Sequence, residues 1–422
     1  MFKLSDRYSL ASLSTTGLPD STGKLFMSNF GTIDLSNVEI VGSSIDTIRQ
    51  LFYGSPKLDT VSQFEQFESG EIVQFCHGQD WHFTTMGKVA RYRYKLQNND
   101  LGIVILFGSY YQKLDQEGQH LKIELSPKFI SQRDPIAIWD ALHSPVVGLS
   151  QFFIDNPKPK GVSVHMAADW QGYQLPENFI SDFVTRSTTI KTYDGISELD
   201  LSGISEATVS YGKRLGLRNY MIGKASGLQS VVYNKSVEIV KSDKKDYFHH
   251  EWGVKSEGLH NPDLPVYRLE NRFHHSVIRE IGHFLDVELE SFEQVVPYLT
   301  DIWRYGLHRN RFDISKSHIH PFWQLLYEDV QFFLPSESRI ISRKKKESVD
   351  PIAKNIALII GNFISIQARY GVSAKRVMAQ IKMLPFYPRI VDYYKFRGMC
   401  ESDLFEAIER GLSLRRLIGK AA

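Results

Sequence analysis

Residues 230–239 read SVVYNKSVEI. Taken with a period of two, the stretch predicts a strand with Val231, Tyr233, Lys235 and Val237 on one face. Val232, Asn234, Ser236 and Glu238 then fall on the other. The first face sets a phenol and an ammonium two residues apart between valines. A core strand has no use for that lysine, whereas a site that handles phosphate has use for both groups. As an edge-strand residue kept for solubility, Lys235 has a plainer role.

Two more stretches alternate in the same way. In VSVHMAADW (162–170), His165 and Asp169 share a face with Ala167. In VYRLENRF (266–273), Arg268, Glu270 and Arg272 share one. Singly, each pair suits a solvent-facing strand. A sheet that brings the three together gathers two carboxylates, a histidine, a phenol and several basic groups on one surface.

Around these stretches strands and helices mix. TIDLSNVEIVG predicts a strand, and SSIDTIRQLFYG a helix closed by Gly54. From about residue 70 to 126 the pattern is β, cut by Gly, Asn and Asp turns. DPIAIWDALHS predicts a helix capped by Asp134 with Pro135 at its first position, and LPENFISDFVTRS another. RNYMIGKASGLQSVVYNKSVEI reads as two strands joined by a glycine turn, and Ser291 with Gln294 as a capping box. After the charged stretch SRKKKESVDP the chain reads as helix to its end. The fold class is therefore α+β: a central, largely antiparallel sheet flanked by helices, with a helical C-terminal domain. The expected divisions are a flexible lead-in over 1–34, a main domain over 35–338 and a basic helical domain over 339–422.

Composition bounds the function. Of 422 residues, 42% are apolar and 23% charged, as in soluble globular proteins. Two cysteines, Cys76 and Cys400, exclude a disulfide framework and a Cys-rich zinc site, and suit a reducing cytoplasm. The N-terminus lacks a signal-peptide core, and IALIIGNFISI (356–366) is too short to span a bilayer and predicts a buried helix. The net charge of +2 hides a split: from Arg339 onward there are 17 Lys and Arg against 7 Asp and Glu, which leaves 33 against 41 before it. A tail of +10 on a body of −8 fits a nucleic-acid-binding appendage or a solvated basic helical surface.

The gathered side chains have a chemical reading. Asp169 and Glu270, with His165, would hold Mg²⁺ or Mn²⁺. Tyr233 would attack phosphorus, with Lys235 or an arginine such as Arg268 stabilising the developing charge. A phenol with an ordinary pKa of about 10 needs such help.

Four stretches, in order, resemble the replication initiation factor family, the initiators of rolling-circle plasmids and of filamentous or satellite phages, to which some conjugative relaxases are related. They are DLSNVEIVGSSID, similar to the family's opening strand; VSVHMAADWQGYQLP, similar to its double-acid strand; NYMIGKASGLQSVVYNKSVEI, similar to its glycine turn and aromatic-basic strand; and PVYRLENRF, similar to its Arg-hydrophobic-Glu strand. The likeness covers roughly residues 35–335. It implies a rolling-circle initiator nuclease domain in which Tyr233 is the DNA nucleophile and Asp169 and Glu270 are the acidic positions. His165 stands where the family often has an aspartate, which favours Mn²⁺ over Mg²⁺. The resemblance also implies a cytoplasmic protein of a plasmid, phage or integrated element. It would nick an origin, single-stranded or extruded as a hairpin, keep the 5′ phosphate on tyrosine, and rejoin the strand without ATP. Implied partners are origin DNA and a host helicase and polymerase, with a homodimer left open and no membrane. A non-catalytic DNA-binding regulator and a conjugative relaxase are the alternatives.

Three other features bear on DNA. IQARYGVSAKRVMAQIK resembles a helix-turn-helix, with Gly371 and Ser373 in the turn, Val372 and Val377 inward and Lys375 and Arg376 outward; the alternative is a plain helical subdomain. Lys344 and Lys345 join Lys375 and Arg376 as candidate DNA contacts. KSHIHPFW carries His318 and His320 as a rival metal pair, followed by Tyr387, Tyr393 and Tyr394, but Pro321 argues against a central strand there. Neither SYGKRLG nor IGKASG completes a P-loop, so no ATPase is expected and unwinding needs a separate helicase.

Overall fold

A computed structural model describes residues 14–15, 25–28, 31–76, 78–87, 90–144, 147–176, 179–192, 219–241, 244–315, 318–337, 339–344, 353–395 and 400–419. The chain divides into two compact units, Met1–Lys345 and Lys346–Ala422.

In the first unit, Ser14–Thr15 (β1), Leu25–Ser28 (β2) and Gly31–Asp34 (β3) make a small sheet. Eleven strands make the large one. In chain order they are Glu39–Gly54 (β4), Ile72–Phe75 (β5), Gln79–Thr85 (β6), Tyr92–Asn98 (β7), Ile103–Ser109 (β8), Gly118–Leu125 (β9), Lys158–Gln171 (β10), Ile190–Thr192 (β12), Tyr220–Gly223 (β13), Leu228–Asn234 (β14) and Tyr267–Phe273 (β15). Phe183–Thr185 (β11), Asn310–Ser315 (β16) and His318–Ile319 (β17) form a third sheet. The large sheet runs β12-β13-β14-β15-β10-β4-β9-β8-β7-β6-β5, and every neighbouring pair is antiparallel. The architecture is the expected α+β.

β10 lies near the middle and is buried on both faces from Gly161's neighbour Val162 to Gln171. Its alternation decides what each face meets. Val164, Met166, Ala168 and Trp170 enter the main core with Leu269, Phe273 and Val232 of the adjoining strands. Against that face packs the helix His275–Leu285, whose Val277, Ile278 and Ile281 lie at helical spacing and are fully buried. Each such large apolar side chain contributes about 1.5–3 kcal/mol by leaving water. The other face carries His165, Ala167 and Asp169.

Three expected elements differ. SSIDTIRQLFYG is the second part of the 16-residue strand β4, not a helix. Two bulges on β4 explain the misreading: Met166 faces Ile45 while His165 faces Thr47, and Trp170 faces Ile40 while Asp169 faces Gly42. Each extra residue, Asp46 and Val41, breaks the period of two. Core residues Ile45 and Ile48 thereby fall three apart and imitate a helix. Second, β14 stops at Asn234, and Lys235–Lys241 is helical. The Asn234 carboxamide oxygen accepts from Val237 N at 3.2 Å, a helix N-cap that the alternation concealed. Third, the expected helix at LPENFISDFVTRS is a 3₁₀ turn over Phe179–Asp182 followed by β11, because pairing of Phe183 with Phe312 on β16 overrides local propensity. The capping box at Ser291 and Gln294 and the cap at Asp134 are present.

The second unit holds the helices Ala353–Arg369, Ala374–Lys382, Tyr387–Lys395 and Glu401–Gly419. Ile356, Ile360, Ile364 and Ala368 recur every four residues and meet Val377, Ile381, Leu404 and Ile408 in a core of their own. Gly371 takes φ +67° before Ser373 opens the next helix, on which Lys375 and Arg376 are exposed. Among the described residues no helix is long and apolar enough to cross a membrane.

The β13–β14 turn depends on Gly223. Its φ is +103°, and a Cβ there would lie 2.2 Å from the Leu228 carbonyl oxygen. Gly223→Ala is expected to lose about 1–3 kcal/mol in urea unfolding, through backbone strain and displacement of this close approach.

Candidate functional site

The polar face of the large sheet is assembled by register. Gly42, Asp169, Arg268 and Tyr233 lie abreast on β4, β10, β15 and β14. One row on come Ser44, Ala167, Glu270 and Val231, and then Thr47, His165, Arg272 and Gln229. The three sequence stretches with polar alternation are thus neighbours, and their polar residues share one surface. Tyr233 and Glu270 are diagonal cross-strand neighbours, a separation of about 7–8 Å between backbone positions.

Arg268 is the centre of that surface and is 1% exposed. Its Nε and Nη2 donate to the two Asp169 carboxylate oxygens at 2.6 and 2.8 Å, and its Nη1 donates to Asp46 Oδ1 at 2.6 Å. Trp252 Nε1, from the helix Lys245–Lys255, donates to Asp169 Oδ2 at 2.8 Å. Burial alone would lower the Arg268 pKa, but Asp169 above all, then Tyr233 and Asp46, hold it well above its ordinary value. The guanidinium is therefore permanently charged and already engaged, which corrects the expectation that it stands ready to stabilise a phosphate.

The metal expectation changes in one residue. Asp46, His165 and Glu270 each offer a ligand atom, and these atoms lie within 4.8 Å of one another. Asp169 stands outside that group, and Arg268 and Trp252 occupy both its oxygens. Asp46 takes its place through the β4 bulge, which sets Asp46 and Thr47 together opposite His165. Ala167, the small residue of the middle row, lies directly beside Glu270.

The surroundings of His165 and Glu270 shift both groups towards their metal-binding forms. Burial pushes the His165 imidazole down, against the opposing pull of Glu270, so it is neutral at pH 7. Burial would raise Glu270, yet Arg272 and the His165 hydrogen bond hold it well below the carboxylate range. His165 Nδ1 lies 3.3 Å from Glu270 Oε1, and Arg272 grips Glu270 at 2.8 and 3.2 Å. Two carboxylates and an imidazole fit a divalent cation of Mn²⁺ character. They would hold it in competition with Arg268 and Arg272.

Tyr233 is 2% exposed and packs with Met221 and Val231. Lys235 is not its strand-mate but the first residue of the next helix, with its Nζ 5.8 Å from the centre of the Tyr233 ring and 4.2 Å from that of Phe248. It is buried and paired with Glu238. Burial and then Arg268 push the Lys235 pKa down, and Glu238 limits the fall.

The remaining candidates lie elsewhere. His320 is the N-cap of the helix Pro321–Glu328: its Nδ1 accepts from Phe322 N at 3.1 Å and its Nε2 meets Tyr173 Oη at 3.2 Å. With both ring nitrogens engaged it offers no metal ligand, and it is buried rather than superficial. Tyr387, Tyr393 and Tyr394 belong to the second unit, where Tyr387 Oη donates to Glu401 at 3.2 Å. Lys344 is exposed, and Lys345 lies outside the described residues. Asp46, Trp252 and Glu238 were missed. Asp46 closes the stretch DLSNVEIVGSSID, but nothing in alternation marks a bulge.

The chain is similar to the uncharacterized protein ORF430 of Pseudomonas phage Pf1, a filamentous phage, with 28% identity over 407 residues, 92% of each chain. No protein-family model and no solved structure matches it.

Two outcomes follow from this geometry. Arg268→Met leaves two carboxylates without their partner in a buried setting and is expected to lose about 3–5 kcal/mol in guanidinium unfolding. Adding Asp169→Asn is expected to recover part of that loss, since the two sites are coupled. Burial lowers His320 to about 4, whereas in the unfolded chain its pKa is about 6.5. The unfolded state therefore takes up the proton first, and stability present above pH 6.5 declines as pH falls towards 4. His320→Asn keeps a capping oxygen and removes the titration, so the stability lost between pH 7 and 5 should shrink by about 2 kcal/mol.

Proposed function

We propose that the chain is a rolling-circle replication initiator that nicks and rejoins one DNA strand through Tyr233, as the family resemblance implies. One observation carries the reading: Tyr233, Glu270 and His165 occupy neighbouring positions of one sheet face, where Asp46 completes a three-ligand group. The similarity to a filamentous-phage protein agrees with a mobile-element origin.

In this reading Asp46, His165 and Glu270 hold Mg²⁺ or Mn²⁺. When bound, that cation supplies polarisation of a phosphodiester oxygen. The Tyr233 phenol oxygen forms a bond to phosphorus as the bond from phosphorus to the 3′ oxygen breaks, and the phenol proton ends on that 3′ oxygen. Lys235, desolvated and beside the ring, is suited to pass that proton or to balance the charge on the phosphoryl group. Arg268 acts as a positioning residue, holding Asp46 and Asp169 rather than touching DNA. Rejoining reverses the exchange, with the bond energy kept in the phosphotyrosine. The basic second unit, with Lys375 and Arg376 exposed, supplies phosphate contacts.

A second reading, a DNA-binding regulator without catalysis, is favoured by the burial of Tyr233. Nicking requires the phenol to be uncovered when DNA binds, and binding alone does not.

The two separate on a denaturing gel. Wild type incubated with a labelled single-stranded origin oligonucleotide and Mn²⁺ is expected to give an SDS-stable adduct that Tyr233→Phe lacks. Tight binding with no adduct across candidate hairpins from the host element would favour the regulator. An adduct surviving in Tyr233→Phe would move the nucleophile to another tyrosine.

A further inference from the structure

Beside the polar face lies a cavity of about 250 Å³. Gly42, Ser44 and Asp46 of β4 form its floor with Asp169 and Arg268, so it shares a wall with the site above. Its sides are aromatic: Tyr247, Phe248 and Trp252 from one helix, and Phe333 from the loop after Val330. The size is below that of pockets for drug-sized ligands, about 300–1,000 Å³, and suits a single planar group.

Phe333 is the unusual member. It is 40% exposed, and its φ of +60° is a left-handed conformation that bulky side chains rarely adopt. The surroundings hold it there. The Thr300 hydroxyl accepts from Phe332 N at 2.9 Å and donates to the Leu334 carbonyl at 2.5 Å, and Ser43 Oγ donates to the Gln331 carbonyl at 3.1 Å. Buried Phe332 anchors the loop against Trp303. A strained backbone pinned from both sides, presenting an aromatic ring to solvent at a cavity, is the kind of strain that persists where it serves a ligand.

The charges choose among ligands. The cations of the lining are engaged: Arg268 by Asp169 and Asp46, Lys255 by Glu251 at 3.1 Å, and Arg133 over the Phe129 ring at 3.8 Å. Asp46, Asp169 and Glu251 balance Arg268, Lys255 and Arg133 in formal charge, so the lining has no excess positive charge to draw an anion. Nothing in it selects a phosphate, and its aromatic walls favour an uncharged ring with polar edges. Ser44, Ser131 and Glu251 supply donors and acceptors for such edges.

We propose that this cavity receives one unstacked base of single-stranded DNA, with Phe333 as the stacking platform that holds the nucleotide flanking the cut. The inference rests on the DNA reading above and adds a subsite to it.

The full chain is tested by fluorescence anisotropy with a short mixed-sequence single-stranded DNA, as wild type, Phe333→Gly and Phe333→Trp. Base–aromatic stacking predicts about 5- to 150-fold weaker binding for Phe333→Gly and retained binding for Phe333→Trp. Glycine is at ease at positive φ, so the melting temperature of Phe333→Gly should hold or rise. Unchanged affinity in Phe333→Gly overturns the subsite, as does weaker binding accompanied by a lower melting temperature, because loop integrity would then be the cause. A wild type that forms the Tyr233 adduct while Phe333→Gly binds equally well loses only the subsite. Phe333-dependent binding without any adduct loses only the nicking. A wild type that binds no single-stranded DNA overturns both.

Discussion

A guanidinium removed from water between two carboxylates is the constraint on which the polar side of this sheet depends. An arginine at 1% exposure persists only where its charge is answered and its donors are met. Arg268 satisfies that with a bidentate pair to Asp169 across one strand boundary and a third donor to Asp46 on the strand beyond. It spans β15, β10 and β4 on the polar side, while Trp170 of β10 and Leu269 and Phe273 of β15 enter the core on the apolar side. Breaking it would leave Asp169 with only the Trp252 indole.

From that bridge the neighbouring site takes its form. Asp46 is half of the Arg268 clamp and also a member of the group with His165 and Glu270. The bulge that projects Asp46 is thus held open from one side by Arg268. The second arginine, Arg272, does the same for Glu270. Each acid therefore carries a built-in counter-charge beside the buried His165 imidazole. The cavity with Phe333 continues the same wall, so the Asp46, His165 and Glu270 group, the clamp and the aromatic rim are parts of one surface.

Much of this was legible in the sequence, for an identifiable reason. VSVHMAADW and PVYRLENRF carry one polar and one apolar face, and antiparallel pairing between such strands can only place polar beside polar. The α+β class and the gathering of His165, Asp169, Arg268, Glu270 and Tyr233 on one face followed from that. What was hidden lay where period two fails. The bulge at Asp46 made a strand imitate a helix and concealed a member of the group with His165 and Glu270. The cap at Asn234 turned a continuing strand into a helix and moved Lys235 off the strand to which alternation had assigned it. Roles were harder still to read than places, because alternation shows that Asp169 and Arg268 are neighbours but not that they occupy each other. Phe333 carries no sequence signal, since its interest lies in a backbone angle.

The proposed chemistry needs a divalent cation held on the polar sheet face by Asp46, His165 and Glu270. Electron paramagnetic resonance of Mn²⁺ titrated into the full chain tests it most directly. One bound Mn²⁺ with nitrogen coupling from His165, lost in Asp46→Asn, is expected. Binding that is undiminished in Asp46→Asn but lost in a folded Asp169→Asn, or no bound Mn²⁺ at all, would contradict it.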